Sequence, residues 1–143
     1  MTEKRYSLAS PFDGLFLHFV VIEPEEAPKG IIQIVHGMYE CKELYIPFMR
    51  ILAENGYVSL CHDRRGCGES LPPSGKLRCT RRGRNAVERD IRAMSDWAMD
   101  IYPGLPLTLT GSDSRAACAE ISEWAAASGI SGLDAALPAP HAR

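Results

Sequence analysis

The run of apolar residues from Ile31 to Val35, followed directly by His36-Gly37, constrains the fold of this chain more than any other feature. Most of its residues are β-branched, which favours a β-strand. A strand that is apolar on both faces is typical of a parallel sheet covered by helices. The glycine after the run allows a tight turn. We therefore expect a buried strand that opens into a turn over an active site.

Strand and helix patterns alternate along the first three quarters of the chain. Apolar runs predict strands at 14–23, Ile31–Val35, 57–61 and 105–110. Apolar residues at helical spacing predict one helix over 43–55 and a second that begins at the N-cap candidate Asn85 and ends at Pro103-Gly104. The prolines at the start of 72–84 predict a loop there. Alternation of this kind implies βαβ units. The predicted architecture is an α/β fold with mostly parallel strands flanked by helices.

Composition excludes several classes of protein. A formal net charge of −2 gives no basic field for nucleic acid. The N-terminus lacks the apolar segment of a signal peptide, and no window approaches the roughly 20 apolar residues of a membrane span. Five cysteines without CxxC spacing indicate free thiols and neither a disulfide framework nor a metal site. We expect a cytoplasmic protein with no nucleic-acid partner and no integral membrane segment.

Two motifs follow the second and third predicted strands. His36-Gly37-Met38-Tyr39-Glu40 has the form HGxxE, and Asp63-Arg64-Arg65-Gly66-Cys67-Gly68-Glu69-Ser70 has the form D-x-RG-x-G-x-S. Together they resemble the N-terminal half of the α/β-hydrolase superfamily, most closely its monoacylglycerol lipase and lysophospholipase branch, which is similar to the serine aminopeptidases of the S33 type. The resemblance extends over residues 10–111.

The resemblance assigns roles to the residues of both motifs. It implies that the backbone N–H of Met38 donates to the oxyanion hole, a contribution of about 3 kcal/mol to the transition state. His36 is implied to be structural and not the catalytic base, and the second loop to brace the loops of the active site. Cys41 and Cys67 stand where relatives usually have histidine, and neither replacement removes a catalytic group. The supporting residues are His36, Gly37, Glu40, Asp63, Arg65, Gly66, Gly68 and Ser70.

The nucleophile motif of the family, G-x-S-x-G, is altered in this chain. Residues 111–115 read G-S-D-S-R, so that an alignment without gaps places Asp113 on the nucleophile position and Arg115 on the second glycine. A shift by one residue makes Ser114 the candidate nucleophile, with Asp134 and His141 in the order of a triad. Both of these lie in a tail broken by proline, whereas a triad needs a rigid scaffold. The catalytic acid and histidine are therefore expected to be missing.

These observations predict two parts and leave two functions open. Residues 1–111 are interpreted as a truncated α/β-hydrolase N-terminal region, and 112–143 as a divergent, alanine-rich segment with a flexible tail. By resemblance, the chain derives from a serine ester hydrolase that acts on a small acyl ester or lipid-like substrate through an acyl-enzyme, without metal or cofactor, and is itself catalytically incomplete. The alternative is a non-catalytic α/β module that self-associates through an uncovered sheet edge.

Overall fold

The computed structural model describes residues 1–37, 40–71, 81–110 and 127, with only the backbone described for 81–85. Five strands and two α-helices lie in these ranges, and a short 3₁₀ helix (Lys42–Tyr45) precedes the first α-helix. In chain order they are β1 (Thr2–Ala9), β2 (Phe16–Glu23), β3 (Ile31–Val35), α1 (Ile46–Glu54), β4 (Val58–His62), α2 (Arg81–Ile101) and β5 (Leu107–Thr110). No helix within the described ranges combines the length and apolar character that a bilayer crossing requires.

The strands form one mixed sheet in the order β1-β2-β4-β3-β5. The three strands β4, β3 and β5 are parallel, while β2 is antiparallel to both β1 and β4. The α/β fold class predicted from sequence is confirmed, and its parallel part comprises the strands that the apolar runs predicted. The sequence did not predict β1, because all but one of its residues are exposed and no apolar alternation marks it. Pairing with β2 from Thr2↔Glu23 to Ala9↔Phe16 holds it in the sheet.

The boundaries differ from the prediction mainly at α2. This helix begins at Arg81, ahead of the predicted N-cap Asn85, so that the predicted loop assignment of 81–84 is wrong. Arginine is a good helix former. Met94 and Ala98, later in the helix, pack on the sheet and hold it in place. Once that part is formed, each further residue toward the N-terminus adds a backbone hydrogen bond, so that the first turn needs no apolar face. The predicted division of the chain at residue 111 lies outside the described residues.

Helices cover both faces of the sheet and make two separate layers of core. The layer under α1 contains apolar residues from β2, β3, β4 and α1: Val20, Ile22, Ile32, Ile34, Cys61, Phe48, Met49 and Leu52. The layer under α2 contains Leu17, Phe19, Val21, Ile31, Val58, Leu60, Met94 and Ala98. Because β3 and β4 lie between the two layers, their side chains are buried on both faces. The polar residues at the carboxyl ends of these strands are therefore carried by strands that are packed on both faces.

Candidate active site

The chain reverses its direction across the sheet at β3. From β3 it passes through α1 to β4 on one side, and from β4 it passes through α2 to β5 on the other side of β3. In open α/β sheets, ligands bind outside the carboxyl ends of the strands at such a switch point. The topology therefore places the candidate site where β3 and β5 end, which is where the His36-Gly37 turn begins.

His36 is fixed in one neutral form by two backbone groups. Its Nε2 accepts the Arg64 backbone N–H at 2.9 Å, so that Nε2 carries no hydrogen. Nδ1 then carries the hydrogen and donates it to the Gly37 carbonyl oxygen at 2.9 Å. Burial lowers the pKa of the imidazole and keeps it neutral. With both nitrogens occupied, His36 orients the turn, which supports the structural role implied by the resemblance.

Glu40 holds the other side of the same turn. Its Oε1 accepts the Gly37 backbone N–H at 2.5 Å and the Tyr45 hydroxyl at 3.0 Å. The Gly37 backbone is thus bound at its N–H by Glu40 and at its carbonyl by His36. Met38, the predicted oxyanion donor, lies outside the described residues. The described residues on either side of 38–39, Gly37 and Glu40, are joined by a buried hydrogen bond.

Asp63, at the end of β4, ties the two motifs together. Its fully buried carboxylate accepts the Lys42 backbone N–H at 2.8 Å, the Lys42 ammonium at 2.6 Å and the Glu69 backbone N–H at 2.9 Å. Burial acts to lower the pKa of Lys42, but hydrogen bonds from Asp63, Glu69 and Glu43 outweigh it and raise the pKa. One carboxylate therefore fixes the segment after the HG turn and the second loop relative to each other.

Arg65 fastens the second loop to two distant elements. Its guanidinium donates to Asp90 on α2 at 2.8 Å and to Asp13, in the turn between β1 and β2, at 2.7 Å. The Ser10 hydroxyl accepts a further bond from it at 3.0 Å. The three nitrogens of the guanidinium thus make five hydrogen bonds to Asp13, Asp90 and Ser10. This clamp fits the bracing role expected for the loop.

The remaining residues of the motif shape the loop itself. Gly66 and Gly68 have φ of +83° and +51°, a region that other residues rarely adopt. A Cβ on Gly68 would overlap the carboxylate of Asp63, so that only glycine fits there. The Ser70 hydroxyl accepts the backbone N–H of His18 at 2.9 Å and joins the loop to β2.

The model of a known family matches residues 26–113, more than half of the chain; its description is serine aminopeptidase, S33. The chain belongs to this S33 hydrolase family. No curated protein matches it by sequence.

Solved structures similar to this S33 chain are α/β-hydrolases. A highly thermostable carboxyl esterase from Bacillus coagulans matches 92% of this chain and 43% of its own with a TM-score of 0.69 and 23% identity. A lipase in its open form matches 82% and 39%, with a TM-score of 0.64 and 24% identity. A soluble variant of monoglyceride lipase from Saccharomyces cerevisiae matches 78% and 34%, with a TM-score of 0.61 and 21% identity. At these identities the likeness shows the fold, and the chain spans less than half the length of each.

Several predicted residues of the S33 chain lie outside the described residues: Asp113, Ser114, Asp134 and His141. Cys67 is described, and burial raises the pKa of its thiol, which disfavours a nucleophilic thiolate.

Lys42, Arg64 and Asp90 also belong to the site, although no pattern in the sequence predicted them. Lys42 follows the HGxxE motif by two residues, but neither its burial nor its pairing with Asp63 is marked in the local sequence.

Proposed function

We propose that this S33 chain carries the oxyanion side of a serine ester hydrolase site and that the polypeptide is itself catalytically incomplete. The observation that carries the proposal is the Gly37 backbone, bound at its carbonyl by neutral His36 and at its N–H by buried Glu40. The turn lies at the carboxyl end of β3, where the crossovers diverge.

The reaction assigned to a complete site is acyl transfer. A serine hydroxyl adds to the ester carbonyl, the resulting oxyanion collapses to an acyl-enzyme with loss of the alcohol, and water releases the acid. The part proposed for this chain is stabilisation of the oxyanion by the backbone N–H of Met38, worth about 3 kcal/mol. Because His36 is already bonded at both nitrogens, it exchanges no proton with a substrate. This type of chemistry uses neither a metal ion nor an organic cofactor.

The proposed substrate is a small acyl ester or a lipid-like ester. Two structural relatives support this choice by their descriptions, a carboxyl esterase and a monoglyceride lipase. Cys41, Cys61 and Cys67 are free thiols, which supports the reducing cytoplasm as the proposed location.

The catalytic incompleteness is proposed from the residues at the nucleophile motif. Asp113 occupies the serine position of G-x-S-x-G and Arg115 occupies the second glycine. A carboxylate in place of the activated hydroxyl does not form the ester intermediate of this mechanism, and an arginine side chain crowds the sharp turn. Ser114 is the remaining candidate nucleophile. We accordingly treat 1–111 as the hydrolase region and 112–143 as a divergent segment.

A second candidate function is a non-catalytic module that self-associates. The observation that favours it is strand β5, which pairs with β3 on one side and, among the described residues, with no strand on the other. Leu109 on this strand is half exposed. An uncovered strand edge with apolar residues is a template for pairing with another chain.

Labelling of the full chain with a fluorophosphonate tests the first proposal, with Ser114→Ala as the matched control. Intact mass is expected to show no adduct in either protein. An adduct that Ser114→Ala removes would show a working nucleophile at Ser114, and an adduct in both proteins would show one elsewhere; either result overturns catalytic incompleteness.

Light scattering tests the second candidate on the same samples. Self-association predicts a dimer or larger species that Leu109→Lys disperses. A monomer at all concentrations, or an oligomer unaffected by Leu109→Lys, contradicts pairing through β5.

A further inference from the structure

Arg64 places a positive charge beside the HG turn. It follows β4 by two residues, its backbone N–H bonds to His36 Nε2, and its Nη1 donates to the His36 carbonyl oxygen at 3.3 Å. Arg5, Arg50 and Arg65 each form an ion pair within 4.0 Å, whereas Arg64 forms none with any described carboxylate. Its Nε is buried and has no acceptor in the described part of the chain.

The nearby carboxylates are engaged elsewhere. Asp63 binds the Lys42 ammonium and two backbone amides. Glu40 accepts the Gly37 N–H and the Tyr45 hydroxyl. Neither lies within ion-pair distance of Arg64. Among the described residues, the Arg64 guanidinium therefore has no bonded counter-ion.

The neighbouring histidines respond to this charge. Burial lowers the pKa of both His36 and His62, and the Arg64 charge adds to that effect in each case. Both imidazoles are thus neutral at ordinary pH, whereas Arg64 carries a positive charge and donates to the turn at the His36 carbonyl oxygen.

We propose that Arg64 binds an anionic group of the ligand, a carboxylate or a phosphate, beside the HG turn. Resting on the proposed ester hydrolase function, this assigns the site to esters that carry such a group close to the scissile carbonyl. Arginine binds both groups through two parallel N–H···O bonds, and a half-buried side chain strengthens them by partial exclusion of water.

NMR titration of the full chain tests the assignment with three probes that each contain four carbon atoms. Butyrate and monobutyl phosphate carry the two anionic groups, and n-butanol is the neutral control. The signals followed are the Arg64 side-chain N–H and the backbone amides of His36, Gly37 and Arg64. The variants are Arg64→Gln, which removes the charge, and Arg64→Lys, which keeps the charge without the fork. Arg89→Gln is the matched control, because Arg89 packs over the Phe12 ring and forms no ion pair in the described structure.

At least one anion is expected to shift these signals, with a Kd that rises tenfold or more in Arg64→Gln, rises less in Arg64→Lys and is unchanged in Arg89→Gln. Binding by butyrate alone assigns a carboxylate, and binding by monobutyl phosphate alone assigns a phosphate. The proposal is overturned if n-butanol gives the same shifts, if neither anion binds, or if Arg64→Gln retains the Kd of the original protein. Because binding needs no ester turnover, these outcomes are independent of the fluorophosphonate result.

Discussion

Replacing His62 by leucine is predicted to make the protein more resistant to acid. His62 is 1% exposed, and neither ring nitrogen has a hydrogen-bond partner in the described structure. Burial, reinforced by His36 and Arg64, lowers its pKa from 6.5 to about 3. The unfolded chain therefore binds a proton between these values that the folded chain does not. The contribution that neutral His62 makes to the free energy of unfolding is therefore fully present above pH 6.5 and is lost as the pH falls toward 3.

The size of the effect follows from the same interval. Each pH unit between 6.5 and 3 removes about 1.4 kcal/mol, so that this single group accounts for about 2 kcal/mol at pH 5 and at most about 5 kcal/mol near pH 3. Small domains have unfolding free energies of about 5–15 kcal/mol. One buried imidazole is thus expected to decide where acid unfolding begins.

Urea unfolding at a series of pH values, followed by tryptophan fluorescence, measures the effect. The free energy of unfolding should fall more steeply below pH 6.5 in the original protein than in His62→Leu. Ser59→Ala is the matched control, since Ser59 is another buried, unpartnered polar residue of β4 that does not titrate in this range. It should shift all values by the same amount. Equal slopes in the original protein and His62→Leu would refute the reasoning.

Two further variants test the second loop by urea unfolding. Gly68→Ala should lower the free energy of unfolding by about 2–4 kcal/mol, because the added Cβ meets the Asp63 carboxylate. Gly14 also has a positive φ but faces open space, so Gly14→Ala should cost only about 1 kcal/mol. Equal losses in the two variants would contradict the steric argument. Asp63→Asn should cost about 3–5 kcal/mol, because it removes the one fully buried carboxylate among the three that bind the Lys42 ammonium. Glu43→Gln, which removes an exposed carboxylate from the same ammonium, should cost less than about 1 kcal/mol. Similar losses in both variants would show that the buried pair is not what holds the loops.

The sequence predicted the strands that are buried on both faces, because such strands appear as continuous apolar runs. Ile31–Val35 was predicted with its observed boundaries, because a strand covered by helices on both sides is continuously apolar. β1 left no such mark, since its exposed residues are held by pairing with a strand further along the chain. The start of α2 was missed for a related reason, because packing distant from its first turn extends it over a charged segment.

The candidate site was predictable where its residues are contiguous. The HGxxE and D-x-RG-x-G-x-S motifs each lie directly after a strand, so that short-range pattern and strand order together bring them to one edge. The ion pairs that fix them join residues 21 positions apart for Lys42 and Asp63 and 25 apart for Arg65 and Asp90. Such pairs depend on how the crossovers pack, which no local pattern encodes.

Hydrolysis of p-nitrophenyl butyrate by the full chain, beside Ser114→Ala, tests the central claim most directly. We propose that this chain has the HG turn of a hydrolase sheet but aspartate, Asp113, at the nucleophile position. It is predicted to release p-nitrophenol no faster than Ser114→Ala and no faster than buffer. A rate above buffer that disappears in Ser114→Ala would contradict the account.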